Sequence, residues 1–178
     1  EAHKYFSDNP EQTDSKAKDL LEKINLQMKA GKPQGTEPKN LILDAVEALN
    51  KRFDAEYGGF GTGMKFPEPM HYTLLLRHWA ETGDEETLNI LDKSLTKMAE
   101  GGIFDQLGGG FHRYSTDRLW RVPHFEKMLN DNGFLAKLFL DMFQATKQDI
   151  YREIPEKIFC WVEREMTSPE GAFFSSQD

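Results

Sequence analysis

Six segments carry apolar residues at helical spacing, joined alternately by short polar connectors and by long loops rich in glycine and aromatic residues. This pattern predicts an all-α fold built from helical hairpins. Alternating strand patterns are confined to short pieces of the loops. Three hairpins make an arc, and a closed ring of six would need about twice this length. The expected architecture is therefore half of an α/α toroid.

Residues 1–13 are polar and unpatterned and read as a linker or tail, with the helical domain over 14–178. The first helix is carried by Ala17, Leu20, Leu21, Ile24 and Met28, and Gly31 and Pro33 stop it. The second follows Pro38, with Ile42, Ala45, Val46, Leu49 and Phe53 on its apolar face. Met70, Leu74, Leu75 and Trp79 define the third, which ends at Gly83. Asp84 is placed to cap the fourth, which runs through Leu88, Leu91, Leu95 and Met98 to Gly101. A fifth helix is expected from about Phe125 to Ala145. Met128, Leu135, Phe139 and Met142 mark one face of it, and Phe134 and Leu138 another, so burial on more than one side follows. The sixth uses Ile154, Ile158, Trp161, Val162 and Met166, and either starts near Pro155 or kinks there.

The connectors 81–84 and 146–149 are short and make antiparallel neighbours. The loops after the second, fourth and sixth helices are longer, around Gly58-Gly59-Phe60, Gly109-Gly110-Phe111 and Gly171-Ala172-Phe173. An up-down chain returns to the same end every second helix. Loops 57–67, 101–126 and 170–178 are thus expected on one rim.

Composition excludes several function classes. Thirty acidic against twenty-two basic residues give a formal charge of −8, without the Lys/Arg clusters that phosphate binding needs. Neither a nucleic acid nor a membrane is an expected partner, since no apolar run approaches the roughly 20 residues of a span. Cys160 is the single cysteine, which excludes an internal disulfide and a multi-cysteine metal site. Lying in Ile158-Phe159-Cys160-Trp161-Val162, it reads as a buried thiol in a reducing, cytoplasmic setting. The chain starts at Glu1 and stops at Asp178 beside an aromatic stretch, which reads as one piece of a longer protein.

Chemistry concentrates in Gly101–Asn132. His112 and His124 are the leading acid/base candidates, because imidazole exchanges a proton near neutral pH. Asp105 is the third catalytic candidate, with Glu126 and Asp131 as further carboxylates. Arg113 offers a fork for a substrate carboxylate or paired hydroxyls, and Tyr114, Trp120 and Phe111 offer flat faces for a sugar ring. Lys65 joins them through the shared rim. The competing structural readings are aromatic core packing, ion pairs of Arg113 with Asp105 or Asp117, and a Glu126–Arg121 pair. No metal or other cofactor is expected: His112 and His124 are too far apart for a local ligand motif, and Gly108–Gly110 lacks the βαβ context of a nucleotide loop.

The runs GGGFHRYSTDRLWRVPHFEKML, GGFGTGMKFPEPMH and EREMTSPEGAFFSSQD resemble the spermatogenesis-associated, thioredoxin-domain-containing protein family. The resemblance covers roughly Leu41–Asp178. It implies a six-hairpin, glycosidase-like (α/α)6 toroid, similar to N-acylglucosamine 2-epimerases and several sugar hydrolases. It also implies a thioredoxin-like domain elsewhere in the full-length protein, since no Cys-x-x-Cys is present here. The functional expectation is a carbohydrate-active module, epimerase-like or hydrolase-like, acting on a sugar or sugar derivative. The alternative is a non-catalytic binding module serving the thioredoxin-like domain. Half a toroid leaves inner helix faces uncovered, so self-association of the chain is expected as well.

Overall fold

The computed structural model describes residues 10–28 and 38–178. Its helices are α1 (Pro10–Met28), α2 (Pro38–Arg52), α3 (Pro69–Thr82), α4 (Glu85–Glu100), α5 (Leu129–Thr146) and α6 (Ile150–Glu165). Four two-residue strands lie in the loops: β1 (Tyr114–Ser115), β2 (Pro123–His124), β3 (Lys127–Met128) and β4 (Ser176–Gln177). Among the described residues no helix is long and apolar enough to cross a membrane.

The chain divides into two compact units, Glu1–Leu41 and Ile42–Asp178. In the first, α1 starts at Pro10, inside the segment read as a tail. Proline suits a first turn because its missing N–H would have no intrahelical partner there. Leu20 and Leu21 of α1 are exposed. Residues 1–9 and the stop signal at Gly31 and Pro33 lie outside the described residues.

The second unit holds two complete hairpins, α3–α4 and α5–α6, set side by side through α3 and α5. It has the architecture of helical hairpins that form part of an (α/α)6 toroid. Tyr72, Leu75, Leu91, Leu95, Leu135, Phe139 and Ile158 supply its fully buried core. Asp84 caps α4 as expected, accepting from the N–H of Glu86 and Thr87. Gly83 closes α3 at φ 71°, a left-handed turn that suits glycine.

Four local expectations need correction. Helix α5 begins at Leu129 rather than Phe125, because Lys127 and Met128 pair with Gln177 and Ser176 in an antiparallel ladder. Leu138 is buried on its second face, but Phe134 is 52% exposed. Cys160 is exposed, although Ile158 and Trp161 beside it in α6 are buried. Pro155 sits inside α6, which starts at Ile150 rather than at the proline.

The long loops repeat a single device. Phe53 bridges to Phe60, and Phe104 bridges to Phe111 at the same spacing. In each loop the aspartate after the first phenylalanine receives two backbone N–H groups: Glu56 and Tyr57 donate to Asp54, Leu107 and Gly108 to Asp105. A buried lysine then closes the turn. Lys65 Nζ donates to Asp54 Oδ2 at 2.7 Å and to the Gly58 carbonyl at 2.6 Å. Lys127 Nζ donates to Asp105 Oδ2 at 2.7 Å and to the Gly109 carbonyl at 2.8 Å. Each ammonium also lies over an indole, 5.5 Å from Trp120 and 5.3 Å from Trp161.

Glycine is required where the indoles touch the turns. Gly59 stands at φ +77°, and a Cβ there would lie 2.5 Å from Trp120 Cζ2; Gly110, at φ +82°, faces Trp161 at 2.9 Å. The third loop is one residue shorter, bridging Thr167 to Phe173, and carries Ser168 where the others have aspartate.

Trp120 is fully buried, so Trp120→Ala is expected to cost about 3–5 kcal/mol in denaturant unfolding. Gly59→Ala should also destabilise the wild type, and less so in the Trp120→Ala background, where the indole it would strike is gone. Equal costs in both backgrounds would show that the packing of Trp120 on Gly59 contributes nothing.

Candidate functional site

Backbone pairing gathers the three long loops. Lys65 and Ser115 exchange N–H···O bonds of 3.0 and 2.8 Å, tying the first loop to the second. Lys127 and Met128 pair with Gln177 and Ser176, tying the second to the third. Within the second loop, Tyr114 pairs with His124, and the Arg113 N–H donates to the Glu126 carbonyl at 2.7 Å.

Side chains of the β1–β2 ribbon form the exposed face of this cluster. The Tyr114 ring stacks on His124 at 4.9 Å and 15°, and meets Phe66 at 4.9 Å with the rings tilted by 33°. Arg113 Nη1 donates to Glu126 Oε2 at 2.7 Å, with the arginine side chain half-exposed. Beside them Phe66, Pro67, Glu68, Pro69, Arg113 and Asp131 line a cleft of about 280 Å³. Glu68 occupies the left-handed region at φ 41°, ψ 55°, just before α3. Such strain in a residue other than glycine persists only where surrounding contacts impose it, and is frequent at functional sites.

His112 lies under this face, 7% exposed, with its ring edge-on to Phe125 at 5.2 Å. Its Nδ1 is 3.1 Å from the Phe125 carbonyl. A carbonyl only accepts, so Nδ1 carries the proton and donates, and Nε2 keeps the lone pair. Burial pushes the imidazole pKa down, the Phe125 carbonyl pulls it up and the Lys127 ammonium lowers it again, leaving it below 6.5. His112 is therefore a neutral base near pH 7.

Asn132, fully buried in the first turn of α5, holds the chain on both sides of Phe111. Its Oδ1 accepts from the Phe111 N–H at 2.6 Å, and its Nδ2 donates to the Phe111 and Met128 carbonyls at 2.9 Å. This clamp keeps His112 and Arg113 in register with Asp131, the neighbour of Asn132. Sequence reasoning missed Asn132, Asp54, Arg118 and Lys127. The repeat of Phe-Asp before Gly-Gly-Phe was the signal that could have exposed Asp54 and Asp105 as one kind of residue.

Several sequence candidates belong instead to the supporting structure. Trp120 and Phe111 are at most 1% exposed and offer no face to a sugar. Lys65 is equally buried, shared between Asp54 and Gly58. Asp54 also receives a two-pronged bond from Arg118 at 2.6 and 2.7 Å. Burial opposes its ionisation, yet Arg118 and Lys65 hold it well below the usual carboxylate range. Asp105 lies in the same kind of nest. Burial would raise its pKa, but the Gly108 N–H, Lys127 and the Leu107 N–H outweigh it and bring it down to about 2. An aspartate so firmly ionised has no proton to donate at neutral pH, so a catalytic acid role does not fit its surroundings. The ion pairs differ from expectation too. Arg113 pairs with Glu126, and Asp117 accepts the backbone N–H groups of Leu119, Arg121 and Val122. Among the described residues no group of three or more His, Cys, Asp or Glu is placed to hold a metal ion.

No family model matches the chain. Over 137 residues it is 39% identical to Spermatogenesis-associated protein 20 of Homo sapiens and 38% identical to that of Mus musculus. These alignments cover 74% of the chain and 17% of each relative, so the chain spans about a sixth of their length. Among solved structures, cellobiose 2-epimerase from Bacillus thermoamylovorans superposes with a TM-score of 0.66 at 14% identity, covering 78% of this chain and 40% of that one. An unsaturated glucuronyl hydrolase specific for heparin superposes at 0.63 with 11% identity, over 76% and 41% of the two chains. At these identities the likeness establishes the fold.

The environment of Asp105 has a consequence for acid stability. Its pKa falls from 3.8 to about 2 on folding, so its ionised form stabilises the native state above about pH 4, and this is lost as pH drops towards 2. Asp105→Asn should lower stability at neutral pH and flatten the acid limb between pH 4 and 2, read from urea midpoints. An unchanged acid limb would mean that the Lys127 contact is not coupled to folding.

Proposed function

From homology to Spermatogenesis-associated protein 20 on the frame of an (α/α)6 toroid, we propose a carbohydrate-active module of the epimerase-like kind, with its sugar held at the shared rim. The observation that carries this reading is His112, a neutral base anchored through Nδ1 beside Arg113 and the Tyr114–His124 stack. The fold is also that of proteins described as sugar epimerases and a glucuronyl hydrolase.

The chemistry follows from the side chains. An open-chain sugar lies with its carbonyl towards Arg113. His112 Nε2 takes the proton from the carbon next to that carbonyl, and the C–H electron pair moves onto the carbonyl oxygen as an enolate. His124 returns a proton to the other face of the carbon as the electron pair moves back. The carbon is inverted, and the proton gained by one imidazole balances that lost by the other. Tyr114 stacks on His124 and orients the ring. Hydrolysis would instead need two facing carboxyl groups, one protonated. Glu126 is bound to Arg113, which favours the histidine route.

A second reading has its own support: Lys65, Asp105, Trp120 and Phe111 all serve the frame, as in a binding module whose rim only recognises. That module would serve a thioredoxin-like domain of the same full-length protein, in the cytoplasm, and this chain alone would self-associate through its uncovered faces.

Solvent-deuterium incorporation into a panel of aldoses and N-acyl sugars separates the readings. The wild type should label the carbon next to the carbonyl, and His112→Gln should slow labelling by about 10²-fold or more. Sugar binding without exchange or hydrolysis would favour the non-catalytic module, and the absence of both would remove the sugar reading.

A further inference from the structure

The cleft lined by Phe66, Pro67, Glu68, Pro69, Arg113 and Asp131 holds polar groups that the fold leaves unengaged. Asp131 is partly buried, and among the described residues its carboxyl receives one hydrogen bond, from Asn130 Nδ2 to Oδ1 at 2.9 Å. Its Oδ2 receives none. Asp54 and Asp105 differ in this, because backbone N–H groups and a lysine fill their oxygens. The neighbouring carboxyls have partners too: Glu126 Oε2 takes Arg113 Nη1 at 2.7 Å, and Glu68 Oε2 lies 3.2 Å from His71 Nδ1. Arg113 uses one guanidinium nitrogen on Glu126 and, among the described residues, keeps Nε and Nη2 free. A carboxyl oxygen that has lost part of its hydration without gaining a donor is costly, and a ligand hydroxyl relieves that cost.

Resting on the sugar reading above, we propose that Asp131 is a substrate-binding residue whose carboxylate accepts a hydrogen bond from one sugar hydroxyl, while Arg113 donates to a neighbouring sugar oxygen. A carboxylate and a guanidinium in one cleft match a sugar, whose hydroxyls both donate and accept. The ionised form suits this place, since Asp131 stands in the first turn of α5, where the helix N-terminus favours negative charge. Burial raises its pKa, Arg113 and the Asn130 amide lower it, and Glu126 raises it, so the helix end and Arg113 together oppose the upward displacement. Asn132 fixes the same turn, because its amide bonds to Phe111 and Met128 keep Asp131 in register with His112 and Arg113. The exposed Phe66 ring gives flat apolar area to sugar C–H groups. A volume of about 280 Å³ is near the lower end for small-molecule pockets and favours a single ring over an oligosaccharide.

Calorimetry and saturation-transfer NMR on the 178-residue chain at neutral pH test this. The probes are glucose, mannose and N-acetylglucosamine, each with its monodeoxy and monodeoxyfluoro derivatives. For the sugar that binds, one hydroxyl should stand out, its deoxy derivative binding at least about tenfold more weakly, the equivalent of one hydrogen bond to a charged group. The fluoro derivative at that position should lose as much, because fluorine cannot donate to a carboxylate. Asp131→Ala should weaken the parent sugar by the same factor and bind parent and deoxy sugar alike, since the partner of that hydroxyl is gone. Asp131→Asn keeps an uncharged acceptor and should narrow the ratio of parent to deoxy affinity, a comparison that stands even if Asp131→Ala does not fold. An Asp131 that only steadies α5 would lower the melting temperature of both variants and leave that ratio unchanged. The inference is overturned by an unchanged ratio, or by a fluoro derivative that binds like the parent at the sensitive position; the sugar reading survives either result. If no sugar binds, both fall together.

Discussion

A buried ammonium clamped between an aspartate and a glycine carbonyl, under an indole, is the interaction on which this structure turns. It occurs twice, as Asp54–Lys65–Gly58 under Trp120 and as Asp105–Lys127–Gly109 under Trp161. A lysine in such a place carries a large desolvation cost, and satisfaction of its donors makes it tolerable. The turns supply that satisfaction because paired left-handed glycines bend the backbone until its carbonyl faces the ammonium. The same glycines let the indole approach without meeting a Cβ. Removal of any member strands the rest, so aspartate, lysine, glycine and tryptophan form one cooperative unit.

These units decide which residues remain for chemistry. A side chain saturated by internal partners cannot also serve a substrate, and Lys65, Asp105, Trp120 and Phe111 are saturated or enclosed. What they support is the short β1–β2 ribbon, where Arg113, Tyr114 and His124 face outward with Phe66. Lys65 belongs to both layers: its side chain locks the first turn, while its backbone pairs with Ser115 of the ribbon. The rim is thus held by main-chain bonds to a buried ionic support. Such rigidity suits a site that must present several groups in fixed geometry.

The site's electrostatics follow from this division. Beneath the rim, Asp54 and Asp105 are ionised and matched by Lys65, Arg118 and Lys127. At the rim, burial acts with fewer compensating donors: His112 is held neutral and Asp131 is displaced towards its protonated form.

Periodicity alone revealed the helices and the sharing of a rim by the long loops. Apolar spacing is a local signal that survives without neighbours, and a hairpin's connectivity dictates to which end the chain returns. The start of α5 was not legible, because Lys127 and Met128 leave the helical pattern only when β4 is present to pair with them. Cys160 shows the same limit: its apolar neighbours in sequence do not reveal which side of α6 faces the core. The roles of the site residues were open in the same way. His112, Asp105, Lys65 and Trp120 all had suitable chemistry and all sat in suitable loops. Pairing across distant sequence positions, Lys127 with Asp105 and Arg118 with Asp54, decided which were consumed by the frame and which stayed available. Residue type and local pattern are written along the chain, whereas burial, ion pairing and protonation depend on neighbours that only the folded structure brings together.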